Sequence, residues 1–167
     1  VREIAGSLED AKVAWVGDAN NVARSLAVGC AMLGVRFAIA TPPGYAFSDD
    51  FLASLQAISP GGTIEVANDA HQAVAGAAAV YTDVWASMGQ EKQRDQRKRD
   101  FADFQVNEAL MKTAGPRALF MHCLPARRGE EVTDAVIDGP QSVVVEQAAN
   151  RLHVQKGVLA WLLGAQS

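Results

Sequence analysis

The chain has 167 residues, 49% of them hydrophobic and 20% charged, which suits one soluble core and leaves little room for a second domain. Fifteen basic against nineteen acidic residues leave a net charge of −4, which gives neither nucleic acid nor an anionic membrane a reason to bind. Two distant cysteines make no disulfide framework, no run is apolar enough to span a membrane, and the charged start, Val1 to Asp10, has no signal-peptide core, so a reducing, cytoplasmic setting is expected.

Lys12 to Val16 is an apolar run ending at Gly17-Asp18 and reads as a first strand. From Asn21 to Leu33 apolar residues return at helical spacing, and Gly34 stops that helix. Arg36 to Ala40 is a second strand, closed by Thr41-Pro42-Pro43-Gly44. Ser48 caps a helix through Ile58. Pro60-Gly61-Gly62 turns the chain into a third strand, Thr63 to Val66, and Asn68 or Asp69 caps a helix ending near Gly76. Ala79 to Thr82 is the next strand. The basic run from Lys92 to Arg99 also holds Asp95 and two glutamines, and reads as a solvated face. A helix is expected over Gln105–Thr113, a strand over Ala118–Met121, another over Ser142–Val145, and a closing helix over Ala149–Leu163.

Strands alternating with helices imply parallel pairing through right-handed crossovers. Continuous apolar strands fit a sheet covered on both faces. The expected fold is therefore a single α/β domain over residues 1–167: a doubly wound, Rossmann-like parallel sheet of about five strands, with helices on both faces. In such a sheet, ligands bind in the crevice beyond the strands' C-terminal ends.

Three loops reach that crevice. Gly17-Asp18-Ala19-Asn20-Asn21 leaves the first strand but lacks the G-x-G-x-x-G pattern, which argues against a dinucleotide. Asn20 and Asn21 can bind an amino acid's carboxylate and ammonium groups, or one of them can simply cap the helix. Asp83-Val84-Trp85-Ala86-Ser87-Met88-Gly89-Gln90 leaves the fourth strand. Asp83 can neutralise an ammonium, while Ser87 and the backbone N–H groups near Met88 and Gly89 can hold a carboxylate. Trp85 and Met88 are large apolar residues for a loop and need cover. His122-Cys123-Leu124-Pro125 leaves the fifth strand. Cys123 is open to two readings, a reactive thiol or buried packing, whereas Cys30 lies in a helical apolar pattern and reads as core. His71, His122 and His153 show no metal-ligand spacing with the cysteines, so no metal is expected. Arg151, in Asn150-Arg151, can clamp a phosphate or carboxylate, or lie free on a helix surface.

Together, Trp15 to Asn21, Asp83 to Gln90, His122 to Pro125 and Asn150-Arg151 resemble the C-terminal, ornithine-binding domain of the ornithine carbamoyltransferase family. The resemblance covers nearly the whole chain. It implies that Asn21, Asp83, Ser87 and Met88 hold the amino-acid end of L-ornithine. It implies that Cys123 sits near the attacking side-chain amine without acting as a covalent nucleophile. The carbonyls of Cys123 and Leu124, with Arg151, would touch carbamoyl phosphate, and Leu124–Pro125 would be cis. Asp83, Cys123 and Arg151 would be the catalytic set, with no cofactor and no metal. The implied reaction gives citrulline and phosphate, in arginine biosynthesis.

Two positions depart from the family pattern: Ala19 stands where it has glycine, and Ala149 where it has an acidic residue. The family's N-terminal domain, with its Ser-Thr-Arg-Thr phosphate loop and carbonyl-polarising histidine, has no counterpart in this chain. The missing domain is therefore an implied partner. A homotrimer is implied for the complete enzyme, with a homodimer open to this piece. A stand-alone amino-acid-binding or regulatory module is the alternative reading.

Overall fold

The computed structural model describes residues 1, 6–60, 64–86 and 89–164. Five strands form one all-parallel sheet: β1 Lys12–Val16, β2 Arg36–Ala40, β3 Ile64–Ala67, β4 Ala79–Thr82 and β5 Leu119–His122, in the order β3-β2-β1-β4-β5. The helices are α1 Asn21–Met32, α2 Asp49–Ile58, α3 Ala70–Val74, α4 Arg94–Asp100, α5 Glu108–Ala114, α6 Asp134–Ile137 and α7 Val144–Leu162. Among the described residues no helix is long and apolar enough to cross a membrane.

Side chains alternate across the strands, so β1 feeds two cores. Val13 and Trp15 pack with Phe37, Ile39 and Tyr81 against α1 and α2. Ala14 and Val16 pack with Val80 and Phe120 against α3, α5 and α6. Every residue of β1 and β4 is buried, as the uninterrupted apolar runs require. The chain moves outward one way through β2 and β3, then returns past β1 to lay down β4 and β5. The order reverses between β1 and β4, so their C-terminal ends border the crevice.

The first two strands and α1 lie where the sequence places them, and α2 is capped by Ser48, whose Oγ accepts from Phe51 N. Asp69, not Asn68, caps α3. β3 runs Ile64–Ala67; Thr63 lies outside the described residues. The expected helix over Gln105–Thr113 starts later, at Glu108, because Asn107 caps it. Gln105 is extended, and its amide bonds the carbonyls of Gly129 and Glu130. β5 is shifted one residue along: Ala118 N closes a turn onto Gly115 O, and the ladder begins at Leu119.

Two expectations fail. Ser142–Val145 is not a strand: Ser142 makes one isolated bridge to Phe120, and the helix already begins at Val144. The valine run misleads because Val144 packs into the core from a helical first turn, while Gln147 in that turn bonds both Tyr81 Oη and His122 N. Asn150-Arg151 consequently lies inside α7 and does not open it. The run Lys92–Arg99 is not uniformly solvated either: it forms most of α4, and Arg97 is buried.

Candidate functional site

At the end of β1 the backbone turns through Gly17, whose φ of 139° an L side chain rarely adopts. A Cβ there would stand 3.5 Å from Thr82 Oγ1, which itself donates to Val16 O at 2.6 Å. The loops leaving β1 and β4 are thus joined at their roots.

Above that root, Asn20 does two jobs. Its Oδ1 accepts from the N–H groups of Val22 and Ala23, capping α1. This orients its Nδ2 to donate to Asp83 Oδ2 at 2.9 Å. Asp83 Oδ1 accepts from its neighbour Val84 N at 2.8 Å and from the Cys123 thiol at 3.0 Å. The carboxylate is therefore fixed by groups from the ends of β1, β4 and β5 at once.

Burial first, then the hydrogen bond to Asp83, pushes the Cys123 thiol up to about 12. It is protonated at neutral pH, donates a hydrogen bond, and is no nucleophile as it stands. Burial, followed by the charge of Cys123, likewise raises the Tyr81 phenol to about 12. Burial raises Cys30 to about 11 in its core position.

The loop after β5 is held from beneath by a wholly buried pair. His122 and Glu131 side chains are fully shielded from solvent, with Nε2 3.2 Å from Oε1. Leu124 N donates to His122 Nδ1 at 2.8 Å, which leaves the ring proton on Nε2, facing Glu131. Glu131 Oε1 also accepts from Arg127 N, tying both ends of the loop together. Leu124 lies at φ 57°, and Leu124–Pro125 is cis. Asp83, His122 and Cys123 bring ligand-type atoms within 4.8 Å of one another, a closeness that sequence spacing does not show. A cation there would have to displace the hydrogen bonds just described.

A profile of the aspartate/ornithine carbamoyltransferase family, covering its Asp/Orn binding domain, matches residues 9–162. The chain belongs to this family. The ornithine carbamoyltransferase of Nostoc sp. is 50% identical over 167 residues, spanning 99% of this chain and 55% of that protein. The ornithine carbamoyltransferase of Pyrococcus furiosus, in its solved structure, superposes with a TM-score of 0.92 at 48% identity, covering 99% of this chain and 54% of the other. That of Giardia lamblia gives 0.89 at 34% identity, again over 99% of this chain. The chain spans about half the length of the curated relatives it matches.

Against the carbamoyltransferase pattern, the structure brings Asp83, Cys123 and Leu124 to one crevice. Asn21 opens α1 one residue beyond the cap and is exposed. Ser87 and Met88 lie outside the described residues. Trp85 finds its cover on Phe101, ring centroids 5.8 Å apart. Arg151 is exposed on α7 and close enough to Tyr81 to act on its phenol electrostatically. The alanine at position 19 is sterically at ease: Ala19 is not among the positive-φ residues, and its N–H bonds Tyr45 O at 3.1 Å. Ala149 is exposed on α7.

Sequence reasoning missed Glu131, Gln147 and Arg97. Arg97 did leave a trace, since it precedes the core residues Phe101 and Phe104 by four and seven positions, on their helical stripe. Gln147 left none, because its partners His122 and Tyr81 lie 25 and 66 positions away; Glu131 left none either, although Arg127 and His122 stand only four and nine positions before it.

Proposed function

We propose that this chain is the L-ornithine-binding half of a carbamoyltransferase of arginine biosynthesis, working in the cytoplasm. The observation that carries the reading is the Asp83 carboxylate, fixed at the β1/β4 crevice by Asn20, Val84 and Cys123. A fixed carboxylate at that place is a ready partner for an ammonium group, and the sequence that follows it, Ser87-Met88-Gly89, is of a type that can give a hydroxyl and backbone donors to a carboxylate. In this reading Asn21, Asp83, Ser87 and Met88 hold the amino-acid end of L-ornithine. The side-chain amine then lies by Cys123, whose neutral thiol supports it without attacking.

The amine nitrogen adds to the carbonyl carbon of carbamoyl phosphate, the carbon–oxygen bond to phosphate breaks, and a proton leaves the nitrogen, giving citrulline and phosphate. The carbonyls of Cys123 and Leu124 can accept hydrogen bonds from the carbamoyl NH2, and Arg151 offers charge to the phosphate. Most of the charge neutralisation on the leaving oxygens must come from the other half of the enzyme, and such electrostatic stabilisation is usually the largest catalytic contribution. The exposed apolar residues of α7 fit a surface that this other half covers.

The test is a citrulline assay. The chain alone is expected to make no citrulline from L-ornithine and carbamoyl phosphate, and the chain joined to a carbamoyl-phosphate-binding half is expected to make it. In the joined protein, Asp83→Asn should weaken L-ornithine binding by about 1.5–3 kcal/mol, against about 1 kcal/mol for Ser87→Ala, because a charged hydrogen bond is worth roughly twice a neutral one. Equal losses by calorimetry, or turnover by the chain alone, would refute the assignment.

A further inference from the structure

Within the charged run 92–99 one cation is turned inward. Arg97 is 7% exposed, while Lys92 to Gln96, Lys98 and Arg99 all face water. Its Nη1 donates to Asp18 Oδ2 at 2.8 Å and to the Trp85 carbonyl at 2.8 Å. Its guanidinium carbon stands 4.9 Å from the centre of the Tyr45 ring. Tyr45 in turn accepts Ala19 N–H and donates its hydroxyl to Asp100 at 2.6 Å. One helix, α4, thereby grips the loops that follow β1, β2 and β4.

Asp18 precedes Asn20 by two residues, and Trp85 follows Asp83 by two. The two loops that Arg97 joins are therefore the two that meet at the Asn20–Asp83 bond. Thr82 joins them at the root. A bond at the root and one at the crevice leave the segments free to hinge about the line between them. A third tie, displaced to the side, removes that freedom.

We propose that Arg97 is a positioning residue, whose guanidinium holds Asp18 and the Trp85 carbonyl together and so sets the direction in which Asp83 faces the amino-acid site. It touches neither Asp83 nor Cys123 in any described hydrogen bond. Displacements of about 1 Å in a supporting residue are enough to cost a reaction two orders of magnitude. Lysine is a poor substitute, since a single ammonium lacks the planar fork that meets two acceptors and stacks on an aromatic ring. The consequence for catalysis rests on the proposed amino-acid site; the geometry itself does not.

The experiment follows the rate of iodoacetamide labelling of Cys123 between pH 7 and 10, well below the folded value of about 12, where a tenfold rise in rate at fixed pH marks a fall of one unit in the labelling midpoint; labelling is read peptide by peptide so that Cys30 is scored separately. The thiol reports on Asp83 because it donates to it; Tyr81, Glu131 and His122, the last with a ring nitrogen within 4.8 Å of the thiol, are the other titratable groups around it. In Arg97→Gln the labelling midpoint is expected to fall by at least one pH unit, as Asp83 drifts from the thiol. Asp18→Asn should shift it the same way, and Arg97→Lys should lie in between. A merely structural arginine would lower the melting temperature and leave the midpoint unmoved. An unmoved midpoint in a cooperatively melting Arg97→Gln overturns the proposal. If that variant does not fold, Asp18→Asn and Arg97→Lys decide: a downward shift in either sustains the proposal, and none in both overturns it. The labelling contains no substrate, so its failure leaves the amino-acid reading standing, and failure of L-ornithine to bind leaves the labelling result standing.

Discussion

Cys123 is placed so that its proton matters more than its sulfur. The thiol sits between burial and a carboxylate, both of which oppose ionisation, and its folded value of about 12 lies well above the ordinary 9.0. A group raised on folding contributes stability below its unfolded value and loses it as pH climbs through the folded one. Wild-type protein should therefore lose stability progressively above pH 9, with Cys30 and Tyr81 adding to the loss. Cys123→Ser removes one of these groups and keeps a hydroxyl donor for Asp83. The variant is expected to fold, to melt cooperatively at pH 7 within about 1 kcal/mol of wild type, and to lose less stability between pH 9 and 11. Thermal melts at the two pH values check this, and a non-cooperative melt at pH 7 would show that the thiol is required as packing.

At the scale of elements, α4 deserves the weight that the sequence hides. Its outer side chains also reach the loop after β5, where Arg94 and Lys98 both pair with Glu130. Burial alone would raise the Glu130 carboxyl; these two cations outweigh it and hold it below the usual 4.5. A depressed acid stabilises above its unfolded value and ceases to do so as pH falls through the folded one. Comparing wild type with Glu130→Gln by urea denaturation should give a difference of about 1 kcal/mol or less at pH 7, since both cations are half-exposed. That difference should close as pH drops below 4.5. The helix was illegible in the sequence because its amphipathic stripe carries an arginine where a periodic reading expects an apolar residue. Arg97 balances its burial with Asp18, a partner 79 positions away, so its helical spacing to Phe101 and Phe104 is the one local trace of it. The meeting of Asp83 and Cys123 at one sheet edge, by contrast, was legible because each directly follows a short apolar strand, and such strand ends share one edge of a parallel sheet.

On the scale of the whole molecule, the sheet was readable because all five strands are punctuated by Gly, Pro or a capping residue, while α7 was misread at its start. Its length is the sharper problem. The helix has 19 residues and runs about 28 Å. Only its first turn engages the sheet, and every described residue from Ala148 to Gly164 is exposed. Leu159, Trp161, Leu162 and Leu163 are 58%, 70%, 66% and 83% exposed. Leaving such side chains in water forfeits roughly 1.5–3 kcal/mol each, and a helix without a buried face is marginal on its own. In the joined enzyme the other half would cover this surface. In the 167-residue chain expressed by itself, a second copy is the available apolar partner, and pairing like patches about a two-fold axis is the commonest solution. Sedimentation should find this chain above its monomer mass at micromolar concentration. A version ending at Gln155 should sediment as a monomer and keep the cooperative melt of the sheet, since the described core contacts of α7 begin and end near Val144 and Gln147. A full-length chain that sediments as a monomer, with a melting temperature that truncation leaves unchanged, would show that the helix neither pairs nor adds stability.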